Sequence, residues 1–176
     1  MLQPRIYLIS FGIYQGFWRQ QLVKAKFKQD IFAYLILEKA LTATLDTYQN
    51  VLHVDHLISI PTHPVRTFVR GGNIISHFEH KIATRLRTPT LHDILKKRFT
   101  RRQSKLEGKQ ARQKNIKHAF RVTESIAGTN LLLFDDVCTT GATLKAAIKA
   151  LQQQKPQSIT CITLLRSALE VSSTFR

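Results

Sequence analysis

The run "NLLLFDDVCTTGATL", residues 130–144, passes from four apolar residues into two adjacent carboxylates and then into a hydroxyl-rich turn and a helix-like stretch. A short, continuous apolar run of this kind fits a strand buried on both faces, and such strands belong to parallel sheets covered by helices. The strand is expected to end on Asp135 and Asp136. In an open parallel α/β sheet, ligands sit beyond the carboxyl ends of the strands. A strand–loop–helix joint there presents backbone N–H groups and the positive end of a helix dipole, both of which favour an anion. Thr139, Thr140 and Thr143 add hydroxyls, and Gly141 lets the backbone come close. This pattern describes a monophosphate cradle. Two carboxylates beside it would repel the ligand unless they engage something else. They can accept hydrogen bonds from sugar hydroxyls, or face a Mg²⁺ that bridges further ligand oxygens. A phosphorylated sugar carrying a diphosphate, with Mg²⁺, satisfies the whole set. The competing reading is an acidic helix N-terminus with threonine caps and no ligand. The length of the pattern, an apolar strand and then D-D-V-x-T-T-G-x-T, weighs against it.

The rest of the chain alternates in the same way. Residues 6–14 read as a strand. "FWRQQLVKAKF" places Phe17, Leu22, Val23 and Phe27 near helical spacing. Asp30 is expected to cap "IFAYLILEKALTATL", a helix apolar nearly all round in its first half and therefore packed on a sheet. "VLHVDHLISIP" reads as a strand ending at Pro61, and residues 62–72 as a basic loop. "NIISHFEHKIATRLR" reads as a helix that Asn73 can cap, and "TLHDILK" as a short apolar segment. A helix over about 143–154, stopped by Pro156, and a last buried strand "SITCITLL" close the pattern. Strands alternating with helices predict an α/β fold, a mostly parallel sheet flanked by helices.

Charge narrows the partners. Lys and Arg number 27 against 11 Asp and Glu, a net +16, which favours polyanions. Residues 96–117 concentrate ten of the cations with one glutamate and read as a basic, flexible arm or a solvated helix. Two distant cysteines, Cys138 and Cys161, exclude a zinc ribbon or a disulfide framework, and two buried thiols are expected rather than one disulfide. The helix-terminus position of Cys138 could lower its pKa, but no nucleophilic role is assigned to it. Histidines at 53, 56 and 63, and the pair His77 and His80, make a poor metal site without a supporting carboxylate. The apolar run "IYLISFGIYQGFW" is short, broken by Ser10, Gly12, Gln15 and Gly16, and lacks a small-x-small cleavage site. No segment reaches the roughly 20 apolar residues of a membrane-spanning helix. A soluble, cytoplasmic protein is expected.

"LLLFDDVCTTGATL" resembles the phosphoribosyl-diphosphate (PRPP) binding signature of type I phosphoribosyltransferases. The resemblance implies that Asp135 and Asp136 contact ribose hydroxyls and that the loop Val137, Cys138, Thr139, Thr140, Gly141, Ala142 and Thr143 holds the 5′-phosphate. It implies Mg²⁺ near the two aspartates. Further stretches are similar to one branch, the ComF family of competence-associated proteins: "KAKFKQD" at 24–30, "DHLISIPTHPVRTFVRGGN" at 55–73 and "RRQSKLEGKQARQKNIKHAF" at 101–120. Gln103, Leu106, Arg112, Asn115, Ala119 and Phe120 fall at that family's spacing. Many members begin with a four-cysteine zinc ribbon; this chain has no such cysteines, so no zinc is expected. "RGGNIIS" and "SIPTHP" depart from the usual R-G-F-N-Q and P-V-P.

The resemblance implies residues 1–50 as a hood-like N-terminal region and 51–176 as a phosphoribosyltransferase-like core containing the arm. Arg66, Arg70, Arg101, Arg102, Lys105 and Arg112 are candidate contacts to diphosphate or to a nucleic-acid backbone. The branch implies a role in DNA uptake for transformation, with single-stranded DNA as a partner and a helicase-like protein of the uptake machinery beside it. The alternative is an active transferase that joins PRPP to a nucleobase or similar nucleophile in nucleotide salvage.

Overall fold

The computed structural model describes residues 5–61, 74–97 and 119–168. In chain order these hold β1 (Arg5–Ile13), α1 (Gly16–Lys28), α2 (Ile31–Tyr48), β2 (His56–Ser59), α3 (Ile74–Leu86), β3 (Leu95–Lys97), β4 (Phe120–Val122), β5 (Asn130–Cys138), α4 (Ala142–Gln152) and β6 (Ser158–Arg166). Four strands form a parallel sheet in the order β1-β6-β5-β2. The last strand lies inside the sheet with a partner on each side, and its seven central residues are all buried. That is why "SITCITLL" shows no alternation.

Two apolar layers sandwich the sheet. On one face Leu131, Leu133, Ile159 and Cys161 pack against α4 and against β3 and β4, which pair antiparallel as a two-stranded ribbon. On the other face Leu132, Phe134 and Ile162 pack against α1, α2 and α3 through Leu22, Leu37, Leu41, Phe78 and Ile82. The α/β expectation therefore holds. The ribbon is an element the sequence reading lacked. Most of the basic segment 96–117 lies between its strands and, from residue 98 onward, outside the described residues.

The helices correct two expectations. In α1 the buried residues are Gln21, Leu22 and Ala25, while Phe17 and Phe27 are exposed. In α2 the buried residues are Ala33, Leu37, Leu41 and Leu45, one per turn, so the helix buries a narrow stripe rather than most of its circumference. Ile31, Phe32 and Leu35 remain exposed. The reason is position: α2 lies beside α1 and α3 and touches the sheet mainly along one line. Its start follows expectation, with Asp30 accepting the Ala33 N–H at 3.0 Å. Ion pairs from Glu38 to Lys81 (2.8 Å) and from Asp46 to Arg85 (2.5 Å) tie α2 to α3. β2 is shorter than expected, because residues 51–55 are not strand. Asn73 lies outside the described residues.

Pleat alternation slips at one level across three strands. In β5, Leu132 and Phe134 face the α1–α3 layer, yet so does Val137. In β6, Leu164 and the adjacent Leu165 both face that layer, and in β1 so do Phe11 and Tyr14 just past its end. The paired register omits Phe11, Leu164 and Asp136, the row where the slip occurs. A regular strand cannot put consecutive residues on one face, so the sheet turns its carboxyl edge at this row. The two aspartates stand there.

Candidate functional site

The strand does not stop before the acids. β5 runs through Asp135 and Asp136 to Cys138, with Asp135 paired to Thr163 and Cys138 to Arg166 of β6. The sheet ladder thus fixes the acidic pair, and the turn begins only at Thr139. Gly141 then takes a left-handed conformation, φ 64° and ψ −2°, and α4 starts at the next residue. Most side chains are strained in that conformation, whereas glycine adopts it without steric cost. The helix that follows leaves toward the β3–β4 face, while α3, which follows the neighbouring strand β2, packs on the opposite face. Adjacent strands whose helices leave to opposite faces open a crevice at their carboxyl ends, the usual ligand position in such sheets.

A small, open, mostly polar depression occupies this position. Asp135, Val137, Cys138, Thr139, Thr140, Gly141, Ala142, Thr143 and Leu144 line it. No side chain caps α4 from Gly141, so the first N–H groups of the helix are donors for whatever enters. The Thr140 hydroxyl accepts the Ala142 N–H at a long 3.4 Å, leaving that donor weakly engaged. Neutral donors, a helix N-terminus and threonine hydroxyls are the groups with which a protein can hold an anion.

The two acids part company. Asp135 lines the depression, and its carboxylate accepts the Asp136 N–H at 2.9 Å. Asp136 turns away, as alternation along a strand requires, and its carboxylate is ion-paired with the Lys26 ammonium of α1. Both partners are largely shielded, with side chains 13% and 14% exposed. Lys26 was not among the candidate site residues, although it precedes Phe27 in "KAKFKQD", the stretch similar to the ComF family. Two other polar groups at this edge were also missed. Thr163, cross-strand partner of Asp135, is fully buried, and its hydroxyl has no hydrogen-bond partner among the described residues. Arg166 keeps one buried guanidinium nitrogen without a hydrogen-bond partner among the described residues.

Both cysteines are buried and neither is in a disulfide. Burial pushes the Cys161 thiol far up, and its electrostatic coupling to the Cys138 thiol and the Asp135 carboxylate adds to the effect. Arg66, Arg70, Arg101, Arg102, Lys105 and Arg112 lie outside the described residues. Among the described residues no group of three or more His, Cys, Asp or Glu side chains is arranged to hold a metal ion. With Asp136 engaged by Lys26, a Mg²⁺ here would rest on Asp135 and on oxygens that the ligand brings, a mode of binding that suits this ion. No helix among the described residues is long and apolar enough to cross a membrane.

The family model for the phosphoribosyl transferase domain matches residues 48–170. No curated protein sequence matches the chain. Among solved structures, adenine phosphoribosyltransferase from Leishmania tarentolae is 12% identical, with a TM-score of 0.51 over 94% of this chain and 93% of that one. Adenine phosphoribosyltransferase from Saccharomyces cerevisiae is 14% identical, with a TM-score of 0.47 over 78% of this chain and 72% of that one. A hypoxanthine phosphoribosyltransferase from Staphylococcus aureus is 18% identical, with a TM-score of 0.46 over 81% and 68%. The first of these likenesses is one of fold.

Proposed function

Because the chain belongs to the phosphoribosyl transferase domain family, we propose that it binds PRPP, or a closely related sugar phosphate, at the carboxyl end of β5. The observation that carries this reading is the left-handed turn at Gly141, which aims uncapped helix N–H groups into a depression that Asp135 also lines. The 5′-phosphate takes the N–H groups and hydroxyls of Thr139–Thr143. Asp135 accepts from a ribose hydroxyl, and Asp136, held by Lys26, accepts from the other side of the ring. Mg²⁺, carried by the diphosphate, neutralises the leaving group when bound.

The biological role follows the narrower resemblance. The chain acts as a ComF-like protein in competence DNA uptake, in the cytoplasm, beside a helicase-like partner. The basic segment 96–117 grips single-stranded DNA through phosphate contacts, with Arg66 and Arg70 as further contacts to diphosphate or DNA. The hood-like region falls within residues 1–50, whose β1 joins the sheet beside β6 and whose α1 and α2 share its core with residues 51–176. What supports the role is the order of the motifs and the +16 charge. The alternative, favoured by the family match itself, is transfer of the phosphoribosyl group to a nucleobase in nucleotide salvage. A site of this kind would work by positioning and charge stabilisation.

Calorimetric titration with PRPP and Mg²⁺ tests the site. Wild type should bind, and Asp135→Asn should lose roughly tenfold or more in affinity, the value of a charge-assisted hydrogen bond. Binding unchanged by Asp135→Asn would remove that residue from the site. A labelled single-stranded oligonucleotide at two salt concentrations tests the role. Reversing Arg101, Arg102 and Lys105 to Glu should weaken binding and flatten its salt slope; an unchanged slope would take the arm out of DNA binding. Turnover with a free base would favour the transferase.

A further inference from the structure

The Lys26–Asp136 pair joins the N-terminal helix hairpin to the strand that carries the site. Its placement sets an electrostatic problem. Asp135 and Asp136 bring two negative charges to one strand end, immediately before a loop built to take a third from phosphate. A diphosphate on the same ligand adds more. The carboxylates lie at the sheet edge in partly shielded surroundings, where solvent screens charge less well than on an open surface. Lys26 forms an ion pair with Asp136. Its side chain is 13% exposed, so it is held in place rather than sampling solvent.

We propose that Lys26 is a positioning residue for anionic sugar ligands: by cancelling the charge of Asp136, it lets a carboxylate-bearing strand end accept a multiply charged phosphate ester. The inference rests on the phosphoribosyl reading of the loop. It assigns the residue on α1 a duty toward a ligand that sits on β5 and α4. An ammonium has three N–H groups and a carboxylate about four acceptor positions, so neither partner is exhausted by the pair. Asp136 can stay bound to Lys26 and still accept from a ribose hydroxyl.

A charge-cancelling residue has a signature that a merely structural one lacks. Its removal should cost affinity in proportion to ligand charge. The test uses the full chain and three probes, ribose, ribose 5-phosphate and PRPP, titrated by calorimetry against wild type, Lys26→Met and Lys26→Arg. Melting curves of each variant verify that it folds. The expected result is a loss in Lys26→Met of roughly tenfold or more for PRPP, about threefold for ribose 5-phosphate and none for ribose, with recovery in Lys26→Arg. In an Asp136→Asn background, Lys26→Met should add little further loss, because the charge to be cancelled is already gone. Equal losses for the two phosphorylated ligands, or no loss for either, with wild-type binding intact, would overturn the role of Lys26 and leave the loop assignment standing. Failure of wild type to bind either phosphorylated ligand would overturn the loop assignment, and the role of Lys26 with it.

Discussion

Glu38 shows how a single residue links outer helices with a readable pH signature. It sits on α2 and reaches Lys81 and His77 on α3, at 2.8 and 3.4 Å. The hydrogen bond from Lys81 is the first cause that holds its carboxyl below the ordinary glutamate range, against the opposing effect of burial. A carboxyl depressed in the folded state adds stability that is fully present above its unfolded pKa and is lost as pH falls through the folded value. Glu38→Gln should therefore lower stability at pH 7 by roughly 0.5–1 kcal/mol, as befits a partly exposed pair. The gap between variant and wild type should close on acidification below about pH 4.3, the unperturbed glutamate value. Thermal melts at pH 7 and at pH 3 measure it. A gap that persists at pH 3 would assign the effect to packing instead. Lys26 is the other residue of consequence at this scale. Of three lysines within five residues, the fold turns this one onto Asp136.

Among the elements, α2 separates hydrophobicity from burial. Phe32 is 76% exposed and Leu37 is fully buried, five residues apart on one helix. Leu37→Ala should cost about 2–5 kcal/mol, since it removes a side chain from the layer shared with β5 and α3. Phe32→Ser should stay within about 0.5 kcal/mol of wild type. Denaturant melts of both variants check the contrast, and a large loss for Phe32→Ser would mean that this side chain packs against chain outside the described residues. The elements of the sheet were the most legible part of the sequence. A short uninterrupted apolar run fits a strand covered on both sides, and β5 and β6 are such strands. The antiparallel β3–β4 ribbon was not legible, because each strand has three residues and a run so short carries no period.

At the scale of the whole molecule, both thiols report on the core. Cys138 and Cys161 are 2% and 0% exposed and belong to the same apolar layer under α4. Burial also keeps Cys161 in its unreactive protonated form. Neither should react with an aromatic disulfide reagent in buffer, and both should react in guanidinium, where the sheet has come apart. The native labelling rate should follow the opening free energy of the sheet. Rapid labelling of Cys138 alone would instead reveal that the loop after β5 opens by itself.

The sequence by itself determined the class of fold and the loop proposed to hold phosphate, because both are local. Strand burial is written in consecutive apolar residues, and the loop in a contiguous run ending on a glycine that must take φ 64°. It also determined the start of α2, where Asp30 lies three residues from the N–H it accepts. Tertiary structure alone decided what the two aspartates do. They are adjacent in sequence and looked like one unit. A strand sends neighbouring side chains to opposite faces, so Asp135 meets the loop and Asp136 meets a lysine 110 positions away in the chain. Such a pairing depends on which helix the fold lays against the end of β5, and no local pattern in either segment encodes it.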